Sequence, residues 1–221
     1  PLRKEDPVFL LHQKADDGNG KLDRGMAPHL GVPDDFSDWH WATQLNQARA
    51  TTYAVEHLRS HAPRTMGSIL WQLNDCWPVT SWSVVDGDGR CKPAWYALRR
   101  AYAPRLLVLR ASALVAINDS DEPWESSARL RRVDFDGAVL SSSDVAVSVP
   151  PRSVTVSPVN IDFADPTREV AVVDADRLRA VRLGAEDFAL AYKPEAVTAV
   201  ATLTDGASAN SYAVTVTAHS F

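Results

Sequence analysis

The sequence has little cysteine and no excess of positive charge, and both shortages exclude classes of protein. Its 221 residues include two cysteines, Cys76 and Cys91, which are too few to form a disulfide scaffold in a chain of this length. We expect both to be free thiols. Lysine and arginine number 23 against 28 aspartates and glutamates, a net charge of −5, and no basic stripe is interleaved with aromatic residues. A nucleic-acid partner is therefore not expected.

Long apolar runs and a secretory leader are also missing. The longest apolar stretch, 108–117, is interrupted by Arg110 and is far shorter than a membrane span, so we expect no membrane partner. Charged residues at 3–6 precede only a brief apolar patch at 8–11, which does not resemble a signal peptide. These observations predict a cytoplasmic protein.

The sequence offers no complete metal site. His57 and His61 have the spacing of two zinc ligands on a helix, but no third ligand accompanies them, so we interpret both as surface histidines. The run Asp86-Gly87-Asp88-Gly89 begins like a calcium loop, yet the position that needs glutamate holds Ala97. It is interpreted as a tight Asp-Gly turn. We expect no metal and no cofactor.

The beginning of the chain predicts an irregular segment followed by a helix. Glycines and prolines break any periodicity over residues 1–33. From Asp34 onward, apolar and small residues recur at helical spacing, with Asp35 or Ser37 available as the N-cap, and the helix is predicted to end near Pro63.

A short apolar run, Ser68–Trp71, lies between Gly67 and Pro78 and predicts a buried strand that is followed by a loop. A second helix follows from Pro93 to Pro104, with Trp95, Leu98 and Tyr102 on one face. Helix, strand, loop and helix in this order indicate a parallel α/β unit, in which the groups beyond the carboxyl end of the strand form the site.

After Pro104 the apolar residues alternate with a period of two, which predicts short strands in an antiparallel sandwich. We expect Trp124, in a polar turn region, to pack at the domain junction rather than to serve as a ligand platform. The alternating positions are Ala113, Val115 and Ile117; Val145, Val147 and Val149; Val154 and Val156; Val170 and Val172; Phe188, Leu190 and Tyr192; and Tyr212, Val214 and Val216.

The loop after the predicted strand combines indole, amide and carboxylate groups, as sites for polyhydroxylated ligands do. The candidate substrate-binding residues are Trp71, Asn74, Asp75, Trp77 and Trp82. An indole offers the C–H face of a sugar ring a stacking surface, and the amide and carboxylate can bond hydroxyls. The alternative is structural: Trp77 and Trp82 would pack the loop under the second helix, and Asp75 would brace the turn.

The run from Met66 to Ser83, with Trp71-Gln72-Leu73-Asn74-Asp75-Cys76-Trp77-Pro78 at its centre, resembles the end of the catalytic barrel in β-mannosidases of glycoside hydrolase family 2. The similarity extends upstream through His12-Gln13-Lys14 and downstream to Pro104. The second half of the chain resembles the immunoglobulin-like C-terminal domains of the family. The sequence departs from the family at 86–88, where Asp-Gly-Asp replaces an aromatic pair.

This resemblance implies a fragment of a longer protein with α/β and all-β parts. Residues 1–104 would be the C-terminal part of a (β/α)₈ barrel, which takes about 250 residues when complete. Residues 105–194 would form an immunoglobulin-like antiparallel β-sandwich, and residues 195–221 would add further strands, interpreted as the start of a truncated last sandwich domain. A parallel strand needs neighbours on both sides, so apolar surface around Ile69 and Leu70 predicts instability or self-association of the isolated piece.

The family's chemistry implies retaining exo-hydrolysis of terminal β-D-mannose by two carboxylates about 5 Å apart. The sequence lacks the motifs that carry both family glutamates; before Pro104 it has only Glu5 and Glu56, and Glu56 is expected to pair with Arg59 on the helix surface. We therefore assign no catalytic residue and expect the isolated chain to be inactive. Its expected partners are a β-mannoside oligosaccharide and the barrel part of the same polypeptide.

Two alternatives stay open at this point. The first is another family 2 glycosidase, such as an exo-β-glucosaminidase or a β-galactosidase, although Gln72 and Asp75 favour the mannosidase pattern. The second is a non-catalytic carbohydrate-binding or scaffold module. An upstream barrel with two glutamates at strand ends would distinguish them.

Overall fold

The computed structural model describes residues 2–193, 195–203 and 212–219. Helices occupy the first part of the chain and antiparallel strands the second; we call residues 2–104 the helical region and residues 105–219 the sheet region. The described residues form four α-helices: α1 (Pro7–Leu11), α2 (Gly18–Leu30), α3 (Phe36–Arg59) and α4 (Pro93–Ala101). No helix among them has the length and apolar character needed to cross a bilayer.

The long helix α3 confirms the helix predicted after Asp34. Asp35 caps it, since its carboxylate accepts hydrogen bonds from the backbone N–H groups of Ser37 at 2.8 Å and Asp38 at 3.2 Å. Its apolar face packs against α4, the second predicted helix. The buried residues of this contact are Ala48, Val55, Val84, Ala94, Leu98 and Ala101. Trp95 on α4 and Tyr102 at its C-cap are only partly covered, at 38% and 44% exposed, so the buried face of α4 consists of smaller residues than the sequence suggested.

The prediction that residues 1–33 are irregular is wrong, because α1 and α2 lie there. The glycines of α2 and its Pro28 weaken its intrinsic helix propensity. Tertiary packing outweighs that weakness: Met26 is completely buried against Trp39 of α3, with Leu22 and Leu30 beside it. A cluster of this kind is not visible in local sequence periodicity.

The buried strand predicted at Ser68–Trp71 is also absent. Residues 65–70 are irregular, and Ile69 is 98% exposed, whereas Leu70 packs against the cluster between α3 and α4. A parallel strand requires hydrogen-bonded neighbours, and no strand within the described residues lies beside this segment. Isolated bridges take its place, including one between Asn74 and Val85.

The described strands form three antiparallel sheets, as the period-two alternation predicted. The strands are β1 (Arg105–Leu109), β2 (Ala113–Asn118), β3 (Trp124–Asp134), β4 (Val139–Val149), β5 (Ser153–Pro158), β6 (Glu169–Ala175), β7 (Leu178–Leu183), β8 (Val197–Leu203) and β9 (Tyr212–Ala218). One sheet has the order β1-β2-β5, the second β4-β3-β6-β7, and β8 pairs with β9. The first two share one apolar core, which includes Leu107, Leu114, Val149 and Val173.

Two sequence predictions in the sheet region need correction. The strand predicted at Phe188–Tyr192 is wrong, because a 3₁₀ turn at Asp187–Ala189 occupies that segment. Strand β1 was not predicted, since its run of four consecutive buried residues shows no alternation. The last predicted strand, which begins at Tyr212, corresponds to β9; residues 220 and 221 lie outside the described residues.

Trp124 packs inside the sheet core and has no surface for a ligand. It is 1% exposed, its indole N–H donates to Asp176 Oδ2 at 3.0 Å, and the Arg105 guanidinium lies 5.8 Å from its ring centre. The expected packing role is confirmed. The expected place differs: Trp124 begins strand β3 instead of lying in a turn, and its ring belongs to the core between the two sheets.

Arginine side chains join the helical and sheet regions. Arg59 donates to Asp119 Oδ2 at 2.7 Å and to the carbonyl oxygen of Ala103 at 2.8 Å. Arg49 of α3 forms a two-bond ion pair with Asp187. The predicted surface pair of Glu56 with Arg59 is wrong, because Arg59 turns to these partners and Glu56 forms no ion pair among the described residues.

Candidate functional site

All five candidate residues lie on one irregular segment, residues 71–92, which we call the Trp71 loop. Its two limbs are joined by backbone hydrogen bonds, since Leu73 O accepts from Val85 N at 2.9 Å and Val85 O accepts from Asp75 N at 3.1 Å. The peptide bond between Trp71 and Gln72 is cis. The backbone hydrogen bonds between the two limbs fold the loop back on itself. Trp71 begins the loop, and Lys92 ends it directly before α4.

A close backbone contact shapes the turn predicted at Asp86-Gly87. Asp86 accepts bonds from the backbone N–H groups of Asp88 at 2.9 Å and Arg90 at 2.8 Å, which confirms the tight turn. A Cβ atom on Gly87 would lie 2.6 Å from the carbonyl carbon of Trp77. Only glycine therefore lets the turn pack this tightly against the backbone at Trp77.

Asp75 lies at the centre of the loop, and its side chain is 1% exposed. Its carboxylate accepts hydrogen bonds from Lys14 Nζ at 2.7 Å, Gln72 Nε2 at 3.2 Å and the hydroxyl groups of Ser81 and Ser83. The Lys92 ammonium lies 3.8 Å from Oδ2 and donates to Ser83 Oγ at 3.0 Å. Buried carboxylates are stable only when they are bonded in this way.

Opposing influences set the pKa of Asp75. Burial raises it, while the hydrogen bonds from Lys14, Ser81 and Ser83 and the charge of Lys14 lower it and prevail, so that the pKa of Asp75 falls to about 2. Burial lowers the pKa of Lys92, against the charges of Asp75 and Asp86. Asp75 is consequently an ionised brace at neutral pH, and it is not poised to exchange a proton.

Further bonds tie the Trp71 loop to the rest of the helical region. Gln47 of α3 donates to the carbonyl oxygen of Trp82 at 2.7 Å. The segment after α1 lies beside the loop, where Thr80 N donates to His12 O at 2.7 Å and Lys14 N to Thr80 O at 3.2 Å. Sequence reasoning gave no role to Lys14, Ser81, Ser83 or Lys92. The only available signal was that all four lie in the part of the sequence that carries the family resemblance.

The indoles of the loop reach the surface to different extents. Trp71 is 72% exposed, against 47% for Trp82 and 40% for Trp77, whose ring lies 5.1 Å from that of His12. Asn74 is exposed and donates to the Asp75 carbonyl oxygen at 3.2 Å. The structure thus presents the three tryptophans and Asn74 outward and directs Asp75 inward.

A groove of about 710 Å³ lies between α1, α2, α3 and the Trp71 loop. Its apolar lining includes Phe9, Leu22, Trp39, Val79 and Trp82. Trp82 is the one candidate residue that borders it; the other four lie elsewhere on the loop.

The other potentially reactive groups are Glu56, which lies outside the loop, and the two cysteines, Cys76 and Cys91, which lie within it. Burial raises the pKa of Glu56, against the charges of Arg100 on α4, Arg110 after β1 and Arg59 on its own helix. Both cysteines are free, as predicted. Within the described ranges, no group of three or more potential ligands is placed to hold a metal ion.

Comparisons with known proteins find β-mannosidases. The chain is 33% identical over 106 residues to β-mannosidase B of Emericella nidulans and 28% identical over 198 residues to β-mannosidase B of Thermothelomyces thermophilus. These matches cover 47% and 79% of this chain but only 13% and 23% of the two relatives. No protein-family model matches.

Solved structures give the same result over more of the chain. A β-D-mannosidase from Dictyoglomus thermophilum superposes with a TM-score of 0.81 and 25% identity, over 96% of this chain and 27% of that one. An exo-β-D-glucosaminidase has the same fold, with a TM-score of 0.71 and 18% identity over 92% of this chain and 29% of its own. The resemblance to β-mannosidases is confirmed, and the chain spans about a quarter or less of the curated relatives named above.

Proposed function

We propose that the chain forms part of a retaining, exo-acting β-mannosidase of glycoside hydrolase family 2 and supplies one wall of the subsite for a terminal β-D-mannose. The similarity to β-mannosidases supports the substrate, and the exposed indole of Trp71 is the observation that carries the assignment of the wall. In this proposal residues 1–104 are barrel, residues 105–194 an immunoglobulin-like sandwich, and residues 195–221 further strands of a last sandwich domain.

The indole of Trp71 stacks on the apolar face of the sugar, and Asn74 bonds its hydroxyl groups. Trp77 and Trp82, each less exposed than Trp71, border the ligand with their edges. Asp75 acts from beneath: its buried carboxylate holds the loop through Lys14, Ser81 and Ser83, and thereby fixes where these side chains point. Its contribution to sugar binding is therefore positional.

Hydrolysis requires two further carboxylates, which we propose lie in the remainder of the polypeptide. Retaining glycosidases need an acid/base and a nucleophile about 5 Å apart. Asp75 is saturated with hydrogen-bond donors and ionised, and Glu56 lies on α3 near three arginines. The chain alone should therefore bind the sugar without cleaving it.

A binding experiment tests the wall. Calorimetric titration with methyl β-D-mannoside should show affinity that falls by about tenfold in Trp71→Ala, as expected for the loss of a stacking surface. Trp41→Ala, which removes an exposed indole of α3 outside the loop, is the matched control and should change nothing. Equal losses in both variants, or none in Trp71→Ala, would overturn the proposal.

An activity assay tests the missing chemistry. No turnover of an aryl β-mannoside is expected from the purified 221-residue chain. Turnover that survives purification and disappears in Asp75→Asn would contradict this, because Asp75 would then be catalytic. Preferential binding of a β-glucosaminide over the mannoside would favour the exo-glucosaminidase alternative, whose fold the chain shares.

A further inference from the structure

The groove beside the Trp71 loop shares only Trp82 with the proposed mannose wall, and it has the form of a separate ligand site. Its volume of about 710 Å³ is within the range of small-molecule sites, which are concave and mostly apolar with a few polar groups. Trp39 lies at the base of the groove, 1% exposed, and is held by a hydrogen bond from its indole N–H to Asp23 Oδ1 at 2.6 Å. Trp82 contributes a half-exposed indole on the loop side.

Polar groups with remaining bonding capacity stand along one wall of the groove. His40 and Gln44 lie one turn apart on α3, and Gln44 Nε2 lies 3.1 Å from His40 Nε2. That contact occupies one end of the amide; among the described residues, Gln44 Oε1 has no hydrogen-bond partner and can accept. His12 lies on the opposite side, with Nδ1 2.6 Å from the Pro78 carbonyl oxygen, so Nε2 is its remaining polar atom.

The charges that line the groove already compensate one another. Arg90 pairs with Asp86 at 3.3 Å and with Asp88 at 2.9 Å. Lys92 lies 3.8 Å from the buried carboxylate of Asp75. An ionic ligand would gain little from charges that are already paired, whereas a neutral ligand with apolar faces and hydroxyl groups suits the Trp82 indole, two imidazoles and an amide.

We propose that this groove binds the neutral sugar units that follow the terminal mannose of an oligosaccharide. The inference rests on the proposed function, which makes the ligand a β-mannoside oligosaccharide. The Trp71 loop connects the two sites, because it carries Trp71 at its start and forms the groove wall from Pro78 to Trp82. Ser81 and Lys92 line the groove and also contact Asp75 or its partner Ser83, so the same brace fixes both sites.

Titrations with two ligands separate the groove from the mannose wall. Methyl β-D-mannoside reaches only the wall, whereas β-1,4-linked mannotriose reaches both. Gln44→Ala should weaken mannotriose binding by about three- to tenfold, the effect of one lost hydrogen bond, and leave the monosaccharide unchanged. Asn46→Ala removes an amide from the same helix outside the groove and should affect neither ligand. Trp71→Ala should weaken both ligands.

A second readout does not depend on the Gln44 variant. In heteronuclear NMR spectra of the wild-type chain, the side-chain amide N–H signals of Gln44, which lines the groove and has no part in the mannose wall, should shift with mannotriose and not with the monosaccharide. Equal effects of Gln44→Ala on both ligands, no effect on mannotriose, or no binding of mannotriose would overturn the groove site. Loss of mannotriose binding in Gln44→Ala, combined with an unchanged affinity in Trp71→Ala, would instead overturn the mannose wall and leave the groove standing.

Discussion

The helical and sheet regions achieve order by different means. In the sheet region, two antiparallel sheets bury a common core of alternating apolar side chains, with Trp124 and Leu114 almost inaccessible. In the helical region, the Trp71 loop leaves Trp71 and Leu73 exposed, as is Ile69 just before it, and the loop depends on polar bonds to Asp75. Apolar burial builds a frame, whereas a buried hydrogen-bonded carboxylate can fix a loop whose apolar groups stay at the surface.

This comparison is tested most strongly in the sheet core. Trp124→Ala should lower the free energy of unfolding by about 3 to 5 kcal/mol, because it leaves a large cavity and removes the indole hydrogen bond to Asp176, which then keeps its bond from Ser126. Hydrogen exchange measured by mass spectrometry should show faster exchange in β2, β3 and β6 with little change in the Trp71 loop. Trp95→Ala, at an exposed indole on α4, is the control. If exchange in the Trp71 loop became as fast as in the strands, the loop would depend on the sheet core and not mainly on its bonds to Asp75.

The opposite variant should loosen the loop and spare the sheets. Asp75→Asn removes the charge that compensates Lys14 and Lys92, and we expect a local loss of about 2 to 3 kcal/mol. The same exchange experiment should show the loss in residues 71–92. Asp88→Asn changes an exposed carboxylate of the same loop and should have little effect. Unchanged protection in Asp75→Asn would show that Asp75 is not the brace.

Acid should have the same effect on the loop as removing the charge. An unfolded aspartate has a pKa of about 3.9, so the stabilisation from the depressed pKa of Asp75 is fully present above about pH 4. It is lost as the pH falls through the folded value of about 2. We therefore compare the free energy of local opening of the loop, from hydrogen exchange, in wild type and in Asp75→Asn. The difference between the two proteins should decrease by about 2 to 3 kcal/mol as the pH falls over this interval. Parallel profiles for the two proteins would exclude the linkage.

The smallest expected effect concerns the fit of the turn. Gly87→Ala places a Cβ atom against the Trp77 backbone, so the turn must shift at a cost of about 1 to 3 kcal/mol. The environment of Trp77 should change, which its indole NMR signal reports. Gly67→Ala, where a Cβ would meet no atom within 4 Å, is the matched control. An unchanged Trp77 signal in Gly87→Ala would show that the turn accommodates a Cβ atom without displacing the backbone at Trp77.

The elements that the sequence predicted well are those with a local signal. Helix α3 has an aspartate cap and a long apolar repeat, and β2, β4 and β6 contain alternating valines and other apolar residues. Helix α2 was missed because its glycines conceal a helix that packing against Trp39 stabilises. The strand at Ser68–Trp71 was predicted from an apolar run, yet within the described residues it has no neighbouring strand to bond.

In the candidate site, too, the sequence predicted the local features and missed those that depend on distant segments. The sequence identified the Trp71 loop and its aromatic and polar residues, because these residues are close together in one short run of the chain. The direction of each side chain was not readable. Trp71 points outward and Asp75 inward, where the Asp75 carboxylate accepts a hydrogen bond from Lys14, 61 residues away in the sequence.

The sequence by itself determined the resemblance to β-mannosidases, the capped helix α3, the alternating strands and the residues of the loop, since each depends on neighbours in the chain. Only the tertiary structure decided that Asp75 is a buried brace, that Met26 and Trp39 order the first helices, and that a groove lies beside Trp82. The physical reason is that burial and charge compensation arise between segments far apart in sequence, and a local pattern carries no information about them.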